Sequence, residues 1–265
     1  MIAKRWPIVV IVAACLLGAP KLASAAVIAM GSINFANLAI TPAARTLSFD
    51  GPWVLEAFAH TDNSLGAIND QFLSSISPDT ISVSATLPSW AIASSTVSAP
   101  NNPANVVVSG SVLSNVSVPC CSAGAAFGQA RSTLFNFFTI SGTGSVAVDL
   151  SVNISGLLSA MTDSLGVFAT TETNFHLDID GAPVLFSNQA LSIGPNDAQS
   201  LSFSTTLTNN IMLDAGIPHF VVVELETDPR ANGKVPEPAV GLLLIPGLAA
   251  LGAARRRRVL GQRKK

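Results

Sequence analysis

Basic residues are almost missing from the body of this 265-residue chain. Of its 14 Lys and Arg, three lie in the first 21 residues and seven in the last 11, which leaves Arg45, Arg131, Arg230 and Lys234. Residues 26–234 also hold 15 of the 16 acidic residues, so this segment carries a net charge of −11. A body of that sign repels phosphate backbones and argues against nucleic acid as a partner. Cysteine is nearly absent. Cys15 falls near the N-terminus, and Cys120 and Cys121 are adjacent, so they close no useful loop. The pair reads as a vicinal disulfide in an oxidising compartment or as a reduced or intermolecular pair. No C-x₂-C spacing occurs, which speaks against a structural zinc site.

Chemistry-bearing motifs are scarce as well. The three histidines, His60, His176 and His219, are far apart and form no metal-ligand spacing. No G-x-S-x-G elbow, P-loop or dinucleotide fingerprint is present, and Gly142-Thr143-Gly144 lacks the glycine that would follow. The expectation is therefore no catalytic residue, no metal, no cofactor and no enzyme. His176 reads as solvated beside Asp178, and His219, after Pro218, as a capping or surface residue. Asp62, Asn63, Asp70, Asp178 and Asp180 read as solvated carboxylates and amide, with loop calcium binding as the alternative. Asp178 and Asp180, two residues apart, are expected on one strand face. Trp53 and Trp90 read as packing residues, with a sugar-stacking platform as the alternative.

What the chain does possess is concentrated at its ends. Lys4 and Arg5, the apolar run Ile8 to Leu17, and Ala23-Ser24-Ala25 have the layout of a signal peptide over residues 1–25. Small residues at Ala23 and Ala25 place the cut before Ala26. Val12-Ala13-Ala14-Cys15 offers a lipobox as a rival, and an uncleaved anchor is another.

At the other end, Val235-Pro236-Glu237-Pro238 precedes an apolar stretch, Ala239 to Ala254, and then Arg255-Arg256-Arg257-Arg258. This three-part arrangement resembles the PEP-CTERM sorting signal of exported bacterial proteins. The resemblance covers about 30 residues, and the extra tail Val259 to Lys265 departs from the usual pattern. It implies exosortase and signal peptidase as processing partners, the membrane as a way-station and extracellular polysaccharide as a further partner. It also implies an inner-membrane-anchored intermediate that ends on the outer surface or outside the cell.

Elementary physics runs the same way. Sixteen residues make roughly 24 Å of helix, slightly short of a hydrocarbon core of about 30 Å. Pro246 and the glycines at 241, 247 and 252 weaken that helix further. The arginine cluster keeps the C-terminus cytoplasmic by the positive-inside rule, so the body faces outward. A plain single-pass anchor is the competing interpretation. The layout is then 1–25 signal peptide, 26–231 ectodomain, 232–238 linker with the Pro-Glu-Pro motif, 239–254 transmembrane helix and 255–265 basic tail.

The body has strand periodicity. Ile81, Val83, Ala85 and Leu87 alternate with Thr80, Ser82, Ser84 and Thr86, and Val146, Val148, Leu150, Val152 and Ile154 do likewise. Phe175, Leu177 and Ile179, and Leu201, Phe203, Thr205 and Leu207, repeat the pattern. Residues 131–140 and 218–226 are apolar on both faces, as central strands are. Asp180-Gly181 predicts a tight turn, and Ser141 to Gly144 a link between strands. The fold class expected is all-β, an antiparallel β-sandwich of jelly-roll-like type with nine or ten strands. Leu65, Ile68, Phe72 and Leu73 have helical spacing and predict a short helix over 64–76. One domain is favoured, with a break near Ser98 to Asn105 as the alternative. The function expected is a non-enzymatic structural or interaction role at the cell surface or in the extracellular matrix. A carbohydrate-binding module or polysaccharide-active enzyme on the same scaffold is the alternative.

Overall fold

The computed structural model describes residues 27–76, 80–99, 109–118, 124–163 and 166–233. Fourteen strands occupy these residues, more than the nine or ten expected, and no helix appears among them. The first seven are β1 (Val27–Pro42), β2 (Leu47–Phe49), β3 (Val54–Asn63), β4 (Ile68–Ile76), β5 (Thr80–Leu87), β6 (Ala91–Ser98) and β7 (Ser109–Val118). The rest are β8 (Gly124–Ile140), β9 (Gly144–Thr162), β10 (Gly166–Ile179), β11 (Ala182–Ile193), β12 (Ala198–Ala215), β13 (Pro218–Thr227) and β14 (Arg230–Gly233).

They form two antiparallel sheets. The first has the order β12-β9-β1-β7-β6-β5, and the second β11-β10-β13-β8-β3-β4, with β14 pairing β10 and β8, and β2 pairing β8. In the C-terminal half the pairing is nested. β8 pairs β13 in the second sheet, β9 pairs β12 in the first, and β10 pairs β11 in the second. A long antiparallel ribbon is thus wound across the two sheets.

Alternation puts one face of each sheet inside. The residues anticipated from period-two patterning are buried: Val148, Leu150, Val152 and Ile154 on β9, and Phe175, Leu177 and Ile179 on β10. β12 is the exception, since Leu201 is 37% exposed and Thr205, although on the inward side opposite Ile154, is exposed; buried Ala215 and partly buried Phe203, Leu207, Ile211 and Leu213 reach the core. The larger apolar cluster includes Phe35, Leu134, Phe138 and Phe175, and a smaller one includes Val27, Ala29, Val116, Ala169 and Ile193. Between them the inward positions turn small and polar: Gly31, Ser114, Gly128, Thr171, Thr173 and Thr227. The Thr171, Thr173 and Thr227 hydroxyls are buried and make no hydrogen bond. A Cβ at Gly31 would collide with the Thr227 and Thr171 hydroxyls, so glycine there lets the sheets approach.

The helix expected over 64–76 is instead a hairpin turn and the edge strand β4. Asn63 Oδ1 accepts hydrogen bonds from the Leu65 and Ala67 amides at 3.0 and 3.1 Å, and Gly66 takes φ +83°, which closes the turn. The Asp180-Gly181 turn forms as expected, with φ +54° and +78°.

Both ends of the described body meet. Val27 pairs Val118 and Thr162, Gly233 pairs Gly124 and Gly166, and Gly233 packs against Val27 and Val118. The turns at 43–46, 141–143, 180–181 and 216–217 lie at the opposite end.

Candidate functional site

The two outer faces differ sharply in chemistry. Across the first sheet, Ser204, Ser155, Asn34, Ser111, Thr96 and Ser82 stand side by side on six successive strands. Neighbours on this face bond to one another: Thr206 Oγ1 donates to Asn153 Oδ1 at 2.8 Å and Asn210 Nδ2 to Asp149 Oδ1 at 2.6 Å. Of the residues in these six strands only Asp149 and Asp214 carry charge.

The second sheet carries nearly all the aromatic and ionisable groups. Phe58, Phe72, Phe127, Phe135, Phe137, Phe168, Phe186 and Phe220 project outward. Phe137 and Phe220 lie with ring centroids 5.0 Å apart, and Phe137 is 50% exposed. Arg131 sits over the Phe58 ring at 5.7 Å, and Arg230 over Phe127 at 5.1 Å. Exposed aromatic rings interleaved with cations and carboxylates suit recognition of another surface.

At one end of this face, His60 contacts Asp70 on β4 and lies 3.5 Å from Asp62. Across the sheet Gln129 hydrogen-bonds Glu226. A cavity of about 290 Å³ follows, lined by residues that include Thr170, Glu172, Ser192, Asp228 and Arg230. Burial pushes the Asp228 carboxyl up to about 6, and repulsion from Glu226 adds to it, with Arg230 opposing. Burial also raises Glu224, although the Arg131 charge opposes it. These carboxyls sit close enough together to repel one another, yet no group of three metal-ligating side chains occurs among the described residues.

A folded value above the unfolded one means that the stability contributed by Asp228 is lost as pH rises from about 4 through about 6. Asp228→Asn removes that loss. The variant is expected to gain about 1–2 kcal/mol at pH 7, a figure discounted for partial exposure. Calorimetric melting from pH 4 to 7.5 checks this; an unchanged slope of melting temperature against pH refutes it.

Several residues sit elsewhere than the sequence suggests. His219 is buried, not at the surface, because β13 places it on the inward side against Phe138. Its Nδ1 lies 2.7 Å from Asp180 Oδ2 and its Nε2 2.8 Å from the Asp214 carbonyl oxygen. Burial pushes the Asp180 carboxyl up, but hydrogen bonds from His219 and from the Phe220 amide outweigh it and hold it below its ordinary value. Asp180 therefore belongs to the turn and does not share a strand face with Asp178, whose partly buried side chain lies on β10. His176 does lie on the outward face, half-buried, with its ring 4.8 Å from that of Phe186.

Trp53 is a core residue, 5% exposed and 5.2 Å from the Phe49 ring. Trp90 packs against the smaller cluster, so the two tryptophans form no common platform. Compared with known proteins, the chain matches no family model, no curated protein and no solved structure.

The motif Val235 to Pro238, the arginines 255–258, the cleavage-site residues Ala23, Ala25 and Ala26, and Cys120 and Cys121 lie outside the described residues. So does most of the interdomain break considered near residues 98–105. The outward phenylalanines and Asp228 were not singled out from sequence. The alternation Glu56, Phe58, His60, Asp62 in β3 is the signal that could have shown them, since it marks an outward row that is not simply polar.

Proposed function

We propose that this chain is an exported surface or matrix protein with a PEP-CTERM-type sorting signal and a non-enzymatic structural or interaction role. The observation that carries the reading is the order of three elements, Val235-Pro236-Glu237-Pro238, the apolar stretch 239–254 and Arg255 to Arg258. Prolines keep the motif extended and without amide donors, a form suited to a protease cleft. Signal peptidase would cut before Ala26, exosortase would act at the motif, and the membrane would hold the intermediate. The body would then act as a β-sandwich of jelly-roll-like type, a reading supported by the nested pairing of β8 with β13, β9 with β12 and β10 with β11. Its aromatic and carboxylate-bearing face is the natural contact surface for matrix components such as extracellular polysaccharide.

Mass spectrometry of the termini of protein recovered from cells and medium tests the sorting claim. The expected product begins at Ala26 and lacks Arg255 to Lys265, whereas the triple change P236A/E237A/P238A keeps the basic tail. An untrimmed chain in the cytosol sinks the reading. The Phe137–Phe220 pair gives the carbohydrate-binding alternative one foothold, because an exposed ring backed by a second, tilted ring can accept a sugar face. Glycan-array binding that is lost in F137A/F220A would favour that alternative.

A further inference from the structure

Each sheet ends in strands with an open backbone edge, and such edges are normally blunted by charge, proline or brevity. The edge strands β12 and β5 are made largely of Ser, Thr and other small or polar residues, and β11 carries Pro183 at its second position. β4 has no proline, and although it carries Asn69, Asp70, Gln71 and two serines it is the edge strand with the most exposed large apolar side chains. On and beside it, Leu65, Ile68, Phe72, Leu73 and Ile76 are between 42% and 72% exposed. Its one charged residue, Asp70, is tied back to His60 on β3.

We propose that β4 is a homodimer edge, at which two copies of this chain pair β4 to β4, antiparallel, about a two-fold axis beside Phe72. The sequence of the strand is complementary to itself in that register. Ile68 then faces Ile76 of the second copy, Asn69 faces Ser75, Asp70 faces Ser74, Gln71 faces Leu73, and Phe72 faces Phe72. All nine residues are paired, apolar meets apolar at the centre and ends, and no charge meets its like.

The alternatives are worse. Parallel in-register pairing sets Asp70 against Asp70, as does an antiparallel slide that brings Ile68 opposite Phe72. A slide the other way leaves Ile68 to Gln71 without partners. The favoured register also extends an existing row, because Phe58 pairs Phe72 within the chain and Arg131 pairs Phe58. The joined row runs Arg131, Phe58, Phe72 and then the same three from the second copy in reverse. This pairing is independent of the sorting proposal.

Disulfide trapping tests the register in the full chain, held in mild detergent, with Cys15, Cys120 and Cys121 replaced by serine. Residues directly opposite have Cα atoms about 4.5–5.5 Å apart, within disulfide reach. F72C is expected to cross-link to itself. I68C alone is expected not to, because its two copies lie about 27 Å apart, whereas I68C mixed with I76C cross-links. F72K should weaken association by about 100-fold or more, read by light scattering, while its circular dichroism stays that of the folded chain because the site is exposed. Failure of F72C to cross-link, self-cross-linking of I68C, or an F72K variant that stays dimeric overturns the proposal.

Discussion

Replacing Gly31 by valine is expected to lower the free energy of unfolding by about 3 kcal/mol or more, among the largest effects a single change can have here. Gly31 faces the Thr227 and Thr171 side chains across the gap between the sheets, and any Cβ there meets both hydroxyls. Threonine is branched at Cβ and stiff about χ1, so neither side chain can swing clear without placing a methyl group in the same space. The clash is resolved only by separating β1 from β10 and β13, which loosens contacts along the whole seam. Alanine should cost less, about 1–3 kcal/mol. Gly51 supplies the control, since a Cβ there meets nothing within 4 Å and its valine variant should stay within about 0.5 kcal/mol of wild type. Urea midpoints decide the matter: equal stability of G31V and G51V would remove the argument for a close approach.

Phe175→Ala is the second large effect, at about 3–5 kcal/mol. The side chain is fully buried on β10 in the second sheet, and its ring lies 6.0 Å from that of Phe35 on β1 in the first. Truncation removes apolar contact and leaves a hole whose walls are strands locked by ladders on both sides, so little collapse can fill it. Phe35→Ala is expected to cost a similar amount. The two changes together should fall short of additivity by about 0.5–1.5 kcal/mol, because each single variant already removes the ring pair. Against a typical stability of about 5–15 kcal/mol, either change would populate unfolded chain measurably. Additive costs in the double variant would show that the rings are neighbours without being partners.

The parts of the fold that could be read from sequence are those where one strand face is wet and the other dry. Val146 to Ile154 announce β9, and Phe175 to Ile179 announce β10, because burial alternates as strictly as the side chains do. β4 defeats that logic. As an edge strand it is exposed on both faces, so period two vanishes and the spacing of Leu65, Ile68, Phe72 and Leu73 imitates a helix. The turn chemistry that contradicts a helix was present in the sequence, with Asn63 just before the apolar pattern and Gly66 inside it, between Leu65 and Ile68. His219 was misplaced for a different reason. Its partners, Asp180 in the turn after β10 and the carbonyl of Asp214 near the end of β12, belong to different sheets, and only the assembled sheets bring them to the buried histidine. The aromatic outer face was hidden in the same way. Each outward phenylalanine looks like a core residue until the opposing row on its own strand is seen to fill the interior.

The meeting of Val27 and Gly233 has a mechanical consequence. A chain held by a leash beyond Gly233 is pulled from the same tip at which its first strand begins, so the load falls first on the four-residue β14 and its ladders to β8 and β10. Tension there would peel short pairings one at a time while the long strands β9 and β12 stay shielded. The far tip, with its tight turns around Arg45, Gly142 and Asp180, lies at the opposite end of the strands from that load.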